Sequence, residues 1–356
     1  MNITYLVAGM GDRPNGGTRI IYEHANRLQW RGHRVRLFHF MNFPSDRLRG
    51  VPRRWLRYRK WMQQARPRPS WFALDPAIEV HHRFQARMPQ LPRDEQIVAT
   101  YWKTHDLLPD DVLAQGRCHY LIQGFETQHV APEHLYRQWQ SPSRNIAIAQ
   151  WLQDKVAKVS GQAALVPNAI DYNFFNDDGS RDGANDEPPI VLFASMREPM
   201  KGSQTVIEAL NLLHDQGCAF KAISFGDTEP APAIRATWQH YQLPSQEHLR
   251  SLYRKAAIYV SASYKEGWAL TLAEAGACGA TLVASDIPGH REICTDGETG
   301  LLFPAGEQNA AAQAIARLLT DPLQRTRLAQ ATKLRLTGFT WDIAIDRLEA
   351  ALLGRP

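Results

Sequence analysis

The chain has 356 residues, 44% of them hydrophobic, and a formal net charge of +5. That size and apolar content suit two cored domains and exclude a disordered or fibrous chain, and no apolar run reaches the ~18 residues of a membrane span. Cys118, Cys218, Cys278 and Cys294 stand far apart without a C-x-x-C pair, which fits reduced thiols in the cytoplasm better than disulfides or a metal site. No basic-then-apolar leader precedes the first predicted strand.

Asn2 to Ala8 reads as that strand, followed by the loop G-M-G-D-R-P-N-G-G-T-R, a helical pattern (Ile20, Ile21, His24, Leu28) stopped by Gly32, and a strand from Val35 to Phe40. Gly9 and Gly11 hint at a dinucleotide-binding fingerprint, but the third glycine is missing, Pro14 interrupts the loop and no acid ends the second strand. Gly16 and Gly17, directly before the helix, read either as a tight turn or as a place where backbone closely approaches a phosphate or sugar.

From Arg47 to Arg68 there are nine basic residues and no acidic one. Removing them from +5 leaves −4, so the basicity is local. Trp55, Tyr58 and Met62 fall at helical spacing inside the run. The segment fits an anionic membrane surface or an anionic acceptor, with a solvated surface helix as the plain alternative. No nucleic-acid-binding motif accompanies it.

Strands recur at 78–82, 96–100, 119–122 and 145–149 with helix-length segments between, the alternation of a mainly parallel sheet. Ligands of open α/β sheets gather at carboxyl ends of strands. The loops T-Y-W-K-T-H, with Trp102, and Q-G-F-E-T-Q-H, with Gln123 and Glu126, are therefore acceptor-side candidates, although Glu126 also reads as a plain loop carboxylate.

A polar, turn-rich stretch from 176 to 189 reads as a linker, and Asp177-Asp178 within it lacks the strand-end setting of a metal motif. A second sheet opens at 189–194 and leads into S-M-R-E-P-M-K-G-S and a helix over 204–215. Arg197 and Lys201, at a strand-to-helix turn, are placed to clamp a diphosphate; solvated loop cations are the alternative. The strand 219–225 ends in Gly226-Asp227, and a helix covers 246–255.

Next comes A-I-Y-V-S-A-S-Y-K-E-G-W-A-L-T-L-A-E-A-G-A-C-G-A-T-L-V-A-S, a strand, loop, helix and strand. The helix is expected to open at Gly267, with Glu266 just before it and Glu274 about 10 Å along its axis. Between the two carboxylates lie the N–H groups of Gly267, Trp268, Ala269 and Leu270, an anion site with Thr271 beside it. Carboxylate, anion hole, carboxylate suits a nucleotide diphosphate sugar. The alternative makes Glu266 a helix-dipole residue and Glu274 a buried ion-pair partner. A strand at 301–303 and an amphipathic helix from Trp341 complete the chain.

The spacing Glu266–x7–Glu274 in E-G-W-A-L-T-L-A-E-A resembles that of the retaining family-4 glycosyltransferases, with Trp268 and Ala269 in place of the commoner Phe-Gly. V-P-N-A-I-D (166–171) is similar to the family's V-P-N-G-V-D. The segment from Met196 to Gly202 resembles its Gly-Arg-x-x-x-x-Lys-Gly, with Met196 for the Gly and one residue fewer before Lys201. Ile122 to Glu126 looks like the subset that includes bacterial rhamnosyltransferases.

The resemblance implies a GT-B fold: two facing Rossmann-like α/β domains, a cleft between them, and a C-terminal helix crossing back. The expected division is an acceptor-side domain at 1–172, a linker at 173–188, a nucleotide-sugar domain at 189–340 and the returning helix at 341–356. It also implies sugar transfer to a hydroxyl with retention of configuration, in bacterial polysaccharide or glycoconjugate synthesis. Arg197 and Lys201 would meet the leaving diphosphate, Glu266 the sugar and Glu274 the ribose. Gly16, Gly17, Gly226 and the 267–271 run would line the donor, and the 226 loop with 241–243 would hold the base. The donor is expected to be UDP- or dTDP-linked and the acceptor a glycan or lipid-linked glycan. No cofactor, metal or nucleic acid is expected. The location implied is cytoplasmic, with a peripheral contact at the inner face of the cell membrane through Arg47–Arg68. The rivals are a sugar-nucleotide hydrolase and a non-catalytic nucleotide-sugar binder of the same fold.

Overall fold

The computed structural model describes residues 1–11, 14–46, 55–56, 58–59, 62, 68–177, 188–227 and 234–355. They form two compact units, Met1–Asn168 with Asp342–Pro356, and Ala169–Trp341.

Unit 1 contains β1 (Asn2–Ala8), α1 (Gly16–Trp30), β2 (Arg34–Asn42), β3 (Glu79–Gln85), β4 (Glu95–Ala99), α2 (Trp102–His105), α3 (Asp110–Leu113), β5 (Cys118–Ile122), α4 (Pro132–Trp139), β6 (Arg144–Ala147), α5 (Gln150–Ser160) and β7 (Ala164–Leu165). The seven strands are parallel in the order β3-β2-β1-β4-β5-β6-β7. The chain leaves β1 in one direction for β2 and β3 and in the other for β4 onward, so a topological switch point lies between β1 and β4. Parallel strands are covered on both faces and read as continuous apolar runs; β5 is buried along its whole length.

Unit 2 contains β8 (Ile190–Ala194), α6 (Ser203–Asp215), β9 (Lys221–Gly226), β10 (Trp238–Gln242), α7 (Gln246–Lys255), β11 (Ile258–Ser261), α8 (Leu270–Ala277), β12 (Thr281–Ser285), α9 (Pro288–Arg291), β13 (Leu301–Phe303), α10 (Gln308–Thr320) and α11 (Pro322–Leu336). Its parallel sheet runs β10-β9-β8-β11-β12-β13, with the switch point between β8 and β11. Val191, Phe193, Leu210, Ile258 and Val283 lie in one apolar cluster that joins these central strands to α6.

Two boundaries differ from expectation. Residues 169–175 pack with unit 2: Ile170 pairs with Thr340, and the Phe175 ring lies 6.1 Å from that of Tyr253. Tyr241 and Gln242, expected in a loop, are in β10. Its W-Q-H-Y-Q sequence is half exposed at the sheet edge and shows no apolar alternation. The last helix, α12 (Trp341–Leu352), packs in unit 1 from Asp342 onward, where Arg31 Nη1 reaches Asp346 at 2.6 Å and Glu349 at 2.5 Å.

Most of the basic segment 47–68 lies outside the described residues. Arg68 is described and is structural: its guanidinium donates to the carbonyls of Leu74, Asp75, Pro76 and Ile78. Arg59 stacks on Trp55 at 5.0 Å, while Trp55 and Met62 are 54% and 59% exposed. Among the described residues no helix is long and apolar enough to cross a membrane.

Candidate active site

In unit 2 the loops after β8 and β11 flank the switch point, where a doubly wound sheet opens a crevice. The first loop is fixed at several points. Ser195 N–H donates to Phe225 O at 2.7 Å, Met196 N–H to Ser203 Oγ at 2.9 Å, and Arg197 N–H to Asp227 Oδ1 at 2.8 Å. The Arg197 side chain is exposed. Pro199–Lys201 form a single 3-10 turn closed by Gly202 at φ +66°. A Cβ there would lie 2.0 Å from the Ala262 carbonyl oxygen, so glycine lets this turn settle on the end of β11.

That approach brings Lys201 to Glu266. Lys201 Nζ lies 2.7 Å from Glu266 Oε1, with the two side chains 33% and 17% exposed. Ser263 Oγ donates to the same oxygen at 2.8 Å. Among the described residues no hydrogen bond reaches Glu266 Oε2. Tyr264 N–H donates to Met200 O at 2.8 Å and ties the two loops together.

The helix between the carboxylates is shorter than expected: α8 opens at Leu270, and Ala273 N–H is bonded to Ala269 O. Its leading N–H groups therefore belong to Leu270, Thr271 and Leu272, with Gly267, Trp268 and Ala269 in the preceding loop. The Trp268 ring is buried 5.6 Å from Phe339, which holds those residues out of the helix. Glu274 is then the fifth helical residue, about 6 Å from the start. It is 2% exposed and accepts from Tyr253 Oη at 3.3 Å. Burial first, and then the Glu274 charge, hold the Tyr253 phenol well above its ordinary range. Thr271 hydrogen-bonds Tyr259. Gly226 ends β9, and its carbonyl accepts from Leu243 N–H at 2.9 Å, so the 226 loop and the end of β10 adjoin.

Unit 1 gathers the acceptor-side candidates at its own switch point. Asn15 caps α1 by accepting from Thr18 N–H, and a Cβ on Gly17 would lie 2.9 Å from Gln123 Oε1. Gln123 Nε2 donates to Thr100 O at 3.4 Å, and Trp102 N–H to Glu126 Oε2 at 3.4 Å. Gly16, Gly17, Trp102, Gln123 and Glu126 thus occupy the ends of β1, β4 and β5. Burial pushes the Glu126 carboxyl up to about 8 against the opposing pull of the Trp102 N–H.

Sequence reasoning gave no role to Ser263, Tyr253 or His290. Each acts through contacts 3 to 29 residues away, and no local spacing marks them.

Residues 176–335, nearly all of unit 2, match the family model of the glycosyl transferases group 1. The chain is thus similar to that family over unit 2, and its two Rossmann-like units have the GT-B fold. Over its whole length it is similar to sucrose-phosphate synthase from Thermosynechococcus elongatus, with a TM-score of 0.74 and 19% identity across 99% of this chain and 100% of that one. The Anabaena protein Alr3699/HepE, whose structure holds UDP-glucose, gives a TM-score of 0.72 and 16% identity over the same shares. A D-inositol 3-phosphate glycosyltransferase of Kribbella flavida is 36% identical over 103 residues, 29% of this chain. The match spans only 24% of that relative's length.

Proposed function

We propose that the protein transfers a sugar from a nucleotide diphosphate sugar to an acceptor hydroxyl, with retention of configuration. The observation that carries the reading is the Lys201–Glu266 pair beside the opening N–H groups of α8, within the segment that matches the glycosyl transferases group 1. A cation and a carboxylate side by side suit a sugar diphosphate: one takes the phosphate oxygens and the other the sugar hydroxyls.

In this reading the bond between the anomeric carbon and the terminal phosphate oxygen breaks as the acceptor oxygen attacks the same face. The acceptor proton passes to the departing phosphate. Arg197 and Lys201 stabilise the charge growing on that diphosphate, together with the Leu270–Leu272 N–H groups. Lys201 keeps Glu266 while doing so, since an ammonium has three donors and the ion pair uses one. Glu266 Oε2 is left for a sugar hydroxyl, and Glu274, which accepts from Tyr253, meets the ribose. In unit 1, Trp102, Gln123 and Glu126 receive the acceptor. The reading requires no metal, because the two cations neutralise the leaving group.

A UDP- or dTDP-linked hexose or deoxyhexose is the proposed donor, and a glycan or lipid-linked glycan of bacterial polysaccharide synthesis the acceptor. The Kribbella flavida relative and the UDP-glucose complex of the Anabaena protein support the class of substrate. We also propose that the 47–68 segment rests on an anionic lipid surface at the inner face of the membrane, with its exposed Trp55 and Met62 toward the acyl boundary.

The test is a product assay with nucleotide sugar, with and without acceptor glycan, in EDTA. Transfer that falls roughly 10- to 150-fold in Lys201→Ala is expected, the loss of one charged hydrogen bond of about 1.5–3 kcal/mol. Wild-type rates in Lys201→Ala contradict the site. Free sugar released equally without acceptor makes the protein a hydrolase.

A further inference from the structure

His290 is fully buried, and the mechanism proposed above does not use it. Its Nδ1 lies 2.8 Å from the Ser285 carbonyl oxygen, an obligate acceptor, so that nitrogen carries the proton. Nε2 is then an acceptor, and Ser261 Oγ donates to it at 3.1 Å. Burial, the largest influence on the ring, holds its pKa below the ordinary value, in keeping with a neutral imidazole.

These bonds fasten the end of β12 to the end of β11 and continue toward the site. Ser285 Oγ, within 3.1 Å of Nδ1, donates to Ser263 O, and Ser263 Oγ donates to Glu266 Oε1 at 2.8 Å. The residue before the histidine supplies a second hold. A Cβ on Gly289 would lie 2.3 Å from Glu266 O and 2.8 Å from Glu266 Cβ, so the backbone of α9 lies directly on Glu266. Glu266 and Lys201 are both near enough to act electrostatically on the imidazole.

We propose that His290, with Gly289, is a positioning residue that sets the Glu266 carboxylate for the donor sugar without itself touching the substrate. This rests on the donor-site reading above. A merely structural histidine would affect folding and all ligands alike. A positioning one affects recognition of the sugar beyond any change in nucleotide binding, which the ratio of the two affinities isolates.

The experiment measures Kd by calorimetry for UDP and UDP-glucose, or for the corresponding pair based on dTDP, GDP or ADP if the wild type prefers it. The proteins are wild type, Glu266→Gln, His290→Phe, His290→Asn and the double variant His290→Phe/Glu266→Gln. Glu266→Gln is expected to weaken UDP-glucose roughly tenfold relative to UDP, the loss of one charged contact. His290→Phe should do the same, the double variant no more than either alone, and His290→Asn, which keeps a donor toward Ser285, should return most of the loss.

If His290→Phe does not fold, Ser261→Ala is expected to shift the same ratio in the same direction. A normal Glu266→Gln effect with an unchanged ratio in His290→Phe, or an additive double variant, overturns the positioning role and leaves the donor reading intact. An unchanged ratio in Glu266→Gln itself, or a wild type that binds none of the four nucleotide sugars, overturns the donor reading and the positioning role with it.

Discussion

Lys201 and Glu266 are mutual partners at 2.7 Å, yet neither is fully buried, which is the compromise the proposed donor site requires. Sealed pairs are expensive to open, and fully exposed ones contribute little. Glu126 presents a different case. Its carboxyl is pushed up to about 8 by burial, so at neutral pH it is mostly protonated and can both donate and accept a hydrogen bond. In the unfolded chain the group titrates near its ordinary value, about 4.3. Between these values the unfolded state binds fewer protons, so this residue makes stability fall as pH rises from about 4.5 to 8. Glu126→Gln removes that dependence. Thermal melts from pH 5 to 8 are expected to show the variant gaining on wild type as pH rises, and a constant difference across the range contradicts the burial argument.

Among elements, legibility followed how local the cause of each one is. α7 and β13 begin and end where their sequences indicate: a short apolar run in the strand, and Ser245 capping α7 through His248 N–H. α8 opens three residues late because Trp268 turns toward Phe339, seventy-one positions away, and spacing carries no trace of that contact. The carboxylates of the Glu266–x7–Glu274 motif were legible, but Ser263, which donates to the first of them, was not.

The turn at Gly202 belongs to this scale as well. Gly202→Ala forces a side chain into a left-handed backbone and against the Ala262 carbonyl, and is expected to cost more than about 1 kcal/mol in urea unfolding. Wild-type stability would show that the turn does not need its close approach to β11. For the 47–68 segment, vesicles rich in anionic lipid should sediment the protein at low salt and release it at high salt. Binding that is absent, or indifferent to salt, contradicts the membrane proposal.

At the scale of the whole molecule, strand and helix alternation made both parallel sheets readable, and each candidate set falls at the switch point of its own sheet. The gathering of Gly17, Gln123 and Glu126 in unit 1 follows from strand order, which the spacing of elements does not state. Residues 169–175 joined unit 2 because Phe175 finds Tyr253, a partner that composition could not reveal.

The central claim is that the loops after β8 and β11 bind a nucleotide diphosphate. A thermal-shift panel of UDP, dTDP, GDP and ADP, with magnesium and with EDTA, on wild type and Lys201→Ala, tests it most directly. A ligand at a hundred times its Kd adds about 2.7 kcal/mol of apparent stability, enough to raise Tm measurably. The account predicts that one nucleotide raises the Tm of wild type equally with and without the metal, and that Lys201→Ala loses most of that rise. No shift with any of the four, or an equal shift in Lys201→Ala, would contradict it.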